Sequence, residues 1–88
     1  MMLQKKTQEN AYLFSVENGL WDGRNAHEPF KRLHASVSDA MEYLAKGMYQ
    51  GNPSLSRSLA EVVIFSMAIS ERYGIEMAEE IKAVQGVI

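Results

Sequence analysis

The stretches SVSD, Ser36 to Asp39, and SLAE, Ser58 to Glu61, repeat one arrangement: a hydroxyl, two spacers and a carboxylate. On a helix, residues three apart share a face, so each stretch presents an oxygen pair to one side. Two such helices packed antiparallel would turn Asp39 and Glu61 toward a common space, with Ser36 and Ser58 beside them. Oxygen donors placed in this way suit a hard cation. Magnesium takes oxygen ligands in an octahedral array, commonly a few carboxylates plus the phosphates of its substrate.

The elements that must hold these residues are helices. Two Gly-rich connections, NGLWDGRN at 18–25 and KGMYQGNPS at 46–54, and two further breaks at Gly74 and Gly86 divide the chain into four helical segments and no strand. The first, from about Leu3 to Glu17, has apolar residues (Leu3, Ala11, Leu13, Phe14, Val16) that do not keep one face. The second opens on Asn25 as N-cap, with Glu28 completing a capping box and Pro29 in the first turn, and ends near Lys46. Its residues Phe30, Leu33, Val37, Ala40, Met41 and Leu44 fall within one arc of about 100°, read as a core-facing stripe. The third runs from about Leu55 to Tyr73 and is closed by Gly74 in a left-handed turn. It is apolar around most of its circumference, so it must be covered on several sides. Four short helices of one chain cannot enclose it, and association of subunits is expected. The last, Glu76 to about Gln85, carries Met77, Ile81 and Val84 on one side.

Composition narrows the classes. The 88 residues fit a single all-α domain, since a chain of this size has no room for a second core. There is no cysteine, so disulfides and thiolate metal sites are excluded, and with two histidines far from any ligand spacing a structural zinc is not expected. A net charge of −2 leaves no broad basic face for a nucleic-acid backbone. The longest apolar runs, VVIF and SMAI, are far shorter than a membrane span, and a cytoplasmic protein is expected.

The segment NGLWDGRNAHEPFKRLHASVSDAMEYLAKG, followed by SLAEVVIFSMAISERYGIEMAEEI, resembles the MazG-like all-α nucleoside triphosphate pyrophosphohydrolases, which include the dimeric dUTPases. That family shows a Trp-Asp turn, a Glu-x-x-Glu helix ending in Lys-Gly, and a Glu-x-x-Asp helix followed by a Gly-Ile turn. The resemblance covers about three fifths of the chain. It implies hydrolysis of a nucleoside triphosphate to the monophosphate and pyrophosphate, with acids holding magnesium against the phosphates. It also implies a four-helix bundle completed by a homodimer or a pair of dimers. Carried over, the metal positions are Asp39 and Glu61, with Glu42 as a further acid one turn beyond Asp39. Ser36 and Ser58 stand where the family has glutamate, which halves the formal charge of the quartet and leaves a magnesium site depleted and weakly held. Trp21, with Arg24 and Asn25 in the same turn, would face the nucleotide. The family's C-terminal lysine and asparagine have no clear counterpart in IKAVQGVI, and no residue is assigned as the catalytic base.

Each signal also has a plainer reading. SLAE is itself a capping-box pattern that starts a helix at Ser58. Trp21 between glycines can be a packing anchor under its loop. EMAEEIK reads as a solvated face, and the methionines at 41, 48, 67 and 77 as core filling. Two functions therefore stay open: a weak or inactive magnesium-dependent nucleotide pyrophosphohydrolase, or a non-catalytic helical oligomer that senses nucleotides or binds proteins.

Overall fold

Asn52 and Gly74 set the ends of the longest helix in the chain. The computed structural model describes residues 5–22, 27–48 and 50–87, and those residues form four helices and no strand. They are α1 (Lys5–Glu17), α2 (Glu28–Ala45), α3 (Pro53–Arg72) and α4 (Met77–Val87). The fold class is all-α, as the punctuation of the sequence predicts.

At the start of α3 the Asn52 side chain accepts a hydrogen bond from the Ser54 N–H at 2.9 Å. Pro53 then occupies the first helical position, where a missing N–H costs nothing. The helix thus begins ahead of the expected Leu55, and Ser58 lies more than a turn inside it. The reading of Ser58 as a cap is corrected by that placement. At the other end Gly74 adopts φ +69°, and the N–H groups of Ile75 and Gly74 donate to Ser70 O at 2.8 Å and Glu71 O at 3.3 Å. This is the Schellman closure that the position of Gly74 predicts.

The entry to α2 differs from expectation. His27 is the cap residue, so Glu28 is the first helical residue and not the closing member of a capping box. Its carboxylate turns forward to Arg32 Nε at 3.2 Å. Arg24 and Asn25 lie outside the described residues.

Both α1 and α2 pack on α3. Phe30 meets Tyr73 while Ser36 meets Glu61, so α2 and α3 run antiparallel. The core is small: Ala11, Met67 and Ala68, joined by Ile64 and Met77. The side of α1 that is buried carries Gln8, Ala11 and Ser15, whereas Leu13, Phe14 and Val16 are exposed. Small and polar residues win this face because α1 approaches α3 closely at Ala68, which has no accessible surface, and because Gln8 and Ser15 each have hydrogen-bond partners there.

The stripe on α2 is not where a single-chain core would need it. Pro29, Ser36 and Ala40, within about 40° of one another, are its buried residues. Phe30, Val37, Met41 and Leu44 lie about 60–120° to one side of Pro29, and Arg32 and Asp39 about 60–80° to the other. Met41 is 64% exposed and Leu44 52%, and Phe30 and Val37 are exposed as well. The expectation that this stripe faces the core of its own chain is corrected: only Ala40 is buried, with Leu33 half-buried. On the corresponding side of α3, Leu59 and Val63 are exposed and Val62 is half-buried. One face of the α2–α3 pair is therefore apolar and open.

Candidate functional site

The opposite side of the same helix pair holds a cleft with both polar and apolar lining. It has a volume of about 540 Å³ and is bounded by Phe14 of α1, by Arg32, Ser36 and Asp39 of α2, and by Arg57, Glu61 and Phe65 of α3. Asp39 and Glu61 both line it, because the antiparallel pairing brings the middle of α2 beside the first half of α3.

Its central contact crosses between the helices. The buried Ser36 hydroxyl lies 2.9 Å from Glu61 Oε2 and 3.0 Å from the backbone oxygen of Arg32. A hydroxyl has one hydrogen to donate. Given to Glu61, it makes a bond to a charged acceptor, the stronger kind. The second oxygen of the carboxylate, Oε1, accepts from Arg57 Nε at 3.2 Å, one turn earlier on the same helix. Arg32 is held by Glu28 on its own helix. Two guanidinium groups thus stand in the cleft beside its two carboxylates.

This donor set does not fit a resident magnesium ion. Both oxygens of Glu61 are engaged, one by a cation, and Asp39 is the other carboxylate of the cleft. Among the described residues no three His, Cys, Asp or Glu side chains are placed to hold a metal together. Glu42 is not brought to the other two acids. It points along α2 to Lys46 Nζ at 2.7 Å, and its hydrogen bond to that ammonium, with the accompanying charge attraction, lowers the carboxyl pKa from its ordinary value. Ser58 is buried on α3, one turn before Glu61, and does not line the cleft.

Trp21 sits elsewhere, at the far end of α3. Its Nε1 donates to Ser15 Oγ at 2.8 Å, and Ser15 in turn donates to Tyr12 O at 2.6 Å. Its ring lies 6.2 Å from Tyr12 and 6.4 Å from Tyr73, and the Arg72 guanidinium covers it at 5.0 Å. These contacts give the indole a packing role between the turn after α1 and the end of α3. Arg57 is the cleft residue that the sequence reading passed over. Its signal was present in the four-residue spacing from Glu61.

Comparison of the chain with protein-family models, with curated proteins and with solved structures finds no match in any of the three.

Proposed function

We propose that this protein is a self-associating helical module, in which the apolar face of α2 and α3 packs against the same face of a second copy. The observation that carries this reading is the exposure of Phe30, Val37, Met41 and Leu44 in one unbroken stripe, joined by Leu59 and Val63 of α3. Scattered exposed apolar residues need no explanation, but a continuous patch marks an interaction surface. A face that pairs with itself about a two-fold axis needs no second gene product, which makes a second copy the simplest occupant.

Sedimentation equilibrium on the wild type and on the Val37→Glu/Met41→Glu variant tests this. Both side chains are solvent-facing in the single chain, so the charges leave its packing intact. The wild type is expected to associate at micromolar concentration and the variant to be monomeric with unchanged helicity. A wild type that stays monomeric at every concentration overturns the proposal.

A second reading draws support from the placement of Asp39 and Glu61 on one cleft. It is a magnesium-dependent nucleoside triphosphate pyrophosphohydrolase of the MazG-like type, in which the phosphates of the substrate complete the metal coordination that the chain lacks. Pyrophosphate release from a panel of nucleoside triphosphates with magnesium or manganese supports it. Absence of turnover, together with absence of any metal-dependent thermal shift, removes it.

A further inference from the structure

The contact of Ser36 with Glu61 fixes the register of the cleft. From it α2 runs forward to Asp39 while the antiparallel α3 runs back to Arg57, so at about 1.5 Å per residue these two lie roughly 4.5 and 6 Å from the contact in the same direction. In the other direction lie Arg32 on α2 and Phe65 on α3, each about 6 Å away. Phe14 joins this second end. Gln8 bonds to Glu71 and Ala11 packs with Ala68, so α1 runs against α3 and brings Phe14 level with Phe65. The cleft thus has a charged end and an aromatic end, about 12 Å apart along the helices.

The charged end has unused bonding capacity. Among the described residues Asp39 has no hydrogen-bond or ion-pair partner. Arg57 gives its Nε to Glu61 Oε1, which leaves its terminal nitrogens without a protein acceptor there. A carboxylate on one wall and a guanidinium on the other match the two groups of an α-amino acid: its ammonium donates to Asp39, and its carboxylate accepts from Arg57. Glu61, engaged by Ser36 and Arg57, holds the guanidinium in place. The aromatic end suits a ring. Phe14, Ile64 and Phe65 line it, and Arg32, tied through Nε to Glu28, has a flat cation to lay over a ring face. The volume of about 540 Å³ lies within the roughly 300–1,000 Å³ of small-molecule sites.

Charge balance selects among ligands. Arg32 and Arg57 offset Asp39 and Glu61, so the lining carries no net charge. A polyanion would meet two carboxylates, and a simple cation would meet two guanidiniums. A zwitterion carries each sign opposite its complement. We infer that the cleft is a binding site for a free aromatic α-amino acid, with its ammonium on Asp39, its carboxylate on Arg57 and its ring between Phe14 and Phe65. The site is complete within one chain and needs no metal, so it is independent of both readings above.

Titration of the isotope-labelled full chain with L-phenylalanine, in the presence of a metal chelator and followed by amide NMR, tests this. Shifts confined to the cleft residues are expected, with an affinity at least about tenfold tighter than for three analogues. These are 2-phenylethylamine, which lacks the carboxylate, 3-phenylpropionate, which lacks the ammonium, and L-alanine, which lacks the ring. Asp39 has no partner to lose, so Asp39→Asn leaves the fold intact. It is expected to weaken L-phenylalanine at least about tenfold and to leave 3-phenylpropionate unchanged. Arg57→Gln is expected to weaken L-phenylalanine and to leave 2-phenylethylamine unchanged. Absence of shifts at millimolar L-phenylalanine overturns the inference. So does equal affinity for any of the three analogues, or an Asp39→Asn variant that weakens L-phenylalanine and 3-phenylpropionate alike. Association of chains and metal-dependent turnover are unaffected by either result.

Discussion

The Ser36 hydroxyl has two acceptors within reach, Glu61 Oε2 and the Arg32 carbonyl, and through Glu61 it makes a polar link between α2 and α3. Replacing it with alanine leaves Glu61 with Arg57 alone and is expected to cost about 1 kcal/mol of stability, measured by urea unfolding. No change in the unfolding midpoint would contradict its linking role. At the rim of α2, Glu42 and Lys46 hold each other's charge: the hydrogen bond between them lowers the carboxyl pKa and raises that of the ammonium. The sign follows from each direction. The stabilisation from Glu42 is present above the ordinary glutamate value and is lost as pH falls through its lowered folded value. That from Lys46 is present below the ordinary lysine value and is lost as pH rises through its raised one. Side-chain NMR titration of Glu42 is expected to give a midpoint below that of an ordinary glutamate, moving back upward in high salt. A midpoint at or above the ordinary value would contradict the pairing.

Among the elements, the closing turn of α3 gives a clean test of backbone chemistry. A Cβ placed on Gly74 would meet no atom within 4 Å, so a Gly74→Ala change is opposed only by the left-handed φ of +69°. That costs about 1–2 kcal/mol. A thermal melt should show the loss, and Gly74→Asn, which tolerates this conformation better, should show less of it. Unchanged melting for both would mean that the turn can relax into another shape. The helices themselves were legible because glycine, proline and apolar period agree along most of the chain. The sequence pattern puts the start of α3 late because Asn-Pro-Ser resembles a connection, although asparagine followed by proline is a helix-entry pair in its own right. The inward side of α1 was not legible. Gln8 and Ser15 do not advertise burial, and only the three-dimensional placement of Ile75, Met77 and Trp21 gives them partners.

At the scale of the whole molecule, the extents of 37 × 36 × 19 Å describe a slab less than two full helix diameters thick. Its two broad sides differ in character. One holds the cleft in which Arg57 and Ser36 engage Glu61, with Asp39 and Arg32 alongside. The other holds the stripe of Phe30, Val37, Met41 and Leu44. The period of the sequence places those residues on one side of α2, but a period records which residues share a side and not whether that side is covered. The candidate site was legible in the same partial way. The spacing of the acids placed Asp39 and Glu61 on one cleft, whereas the turn of Glu42 toward Lys46 and the Arg72 cover over Trp21 depend on packing that spacing does not encode. Solvent relaxation by a soluble gadolinium chelate reads the covering of this side directly, methyl by methyl. In the associated wild type the methyls of Val37, Met41 and Leu44 are predicted to be shielded, and to become accessible in Val37→Glu/Met41→Glu at the methyls that remain. Relaxation of the wild-type methyls at the rates expected for an uncovered single chain, at concentrations well into the micromolar range, would contradict the account.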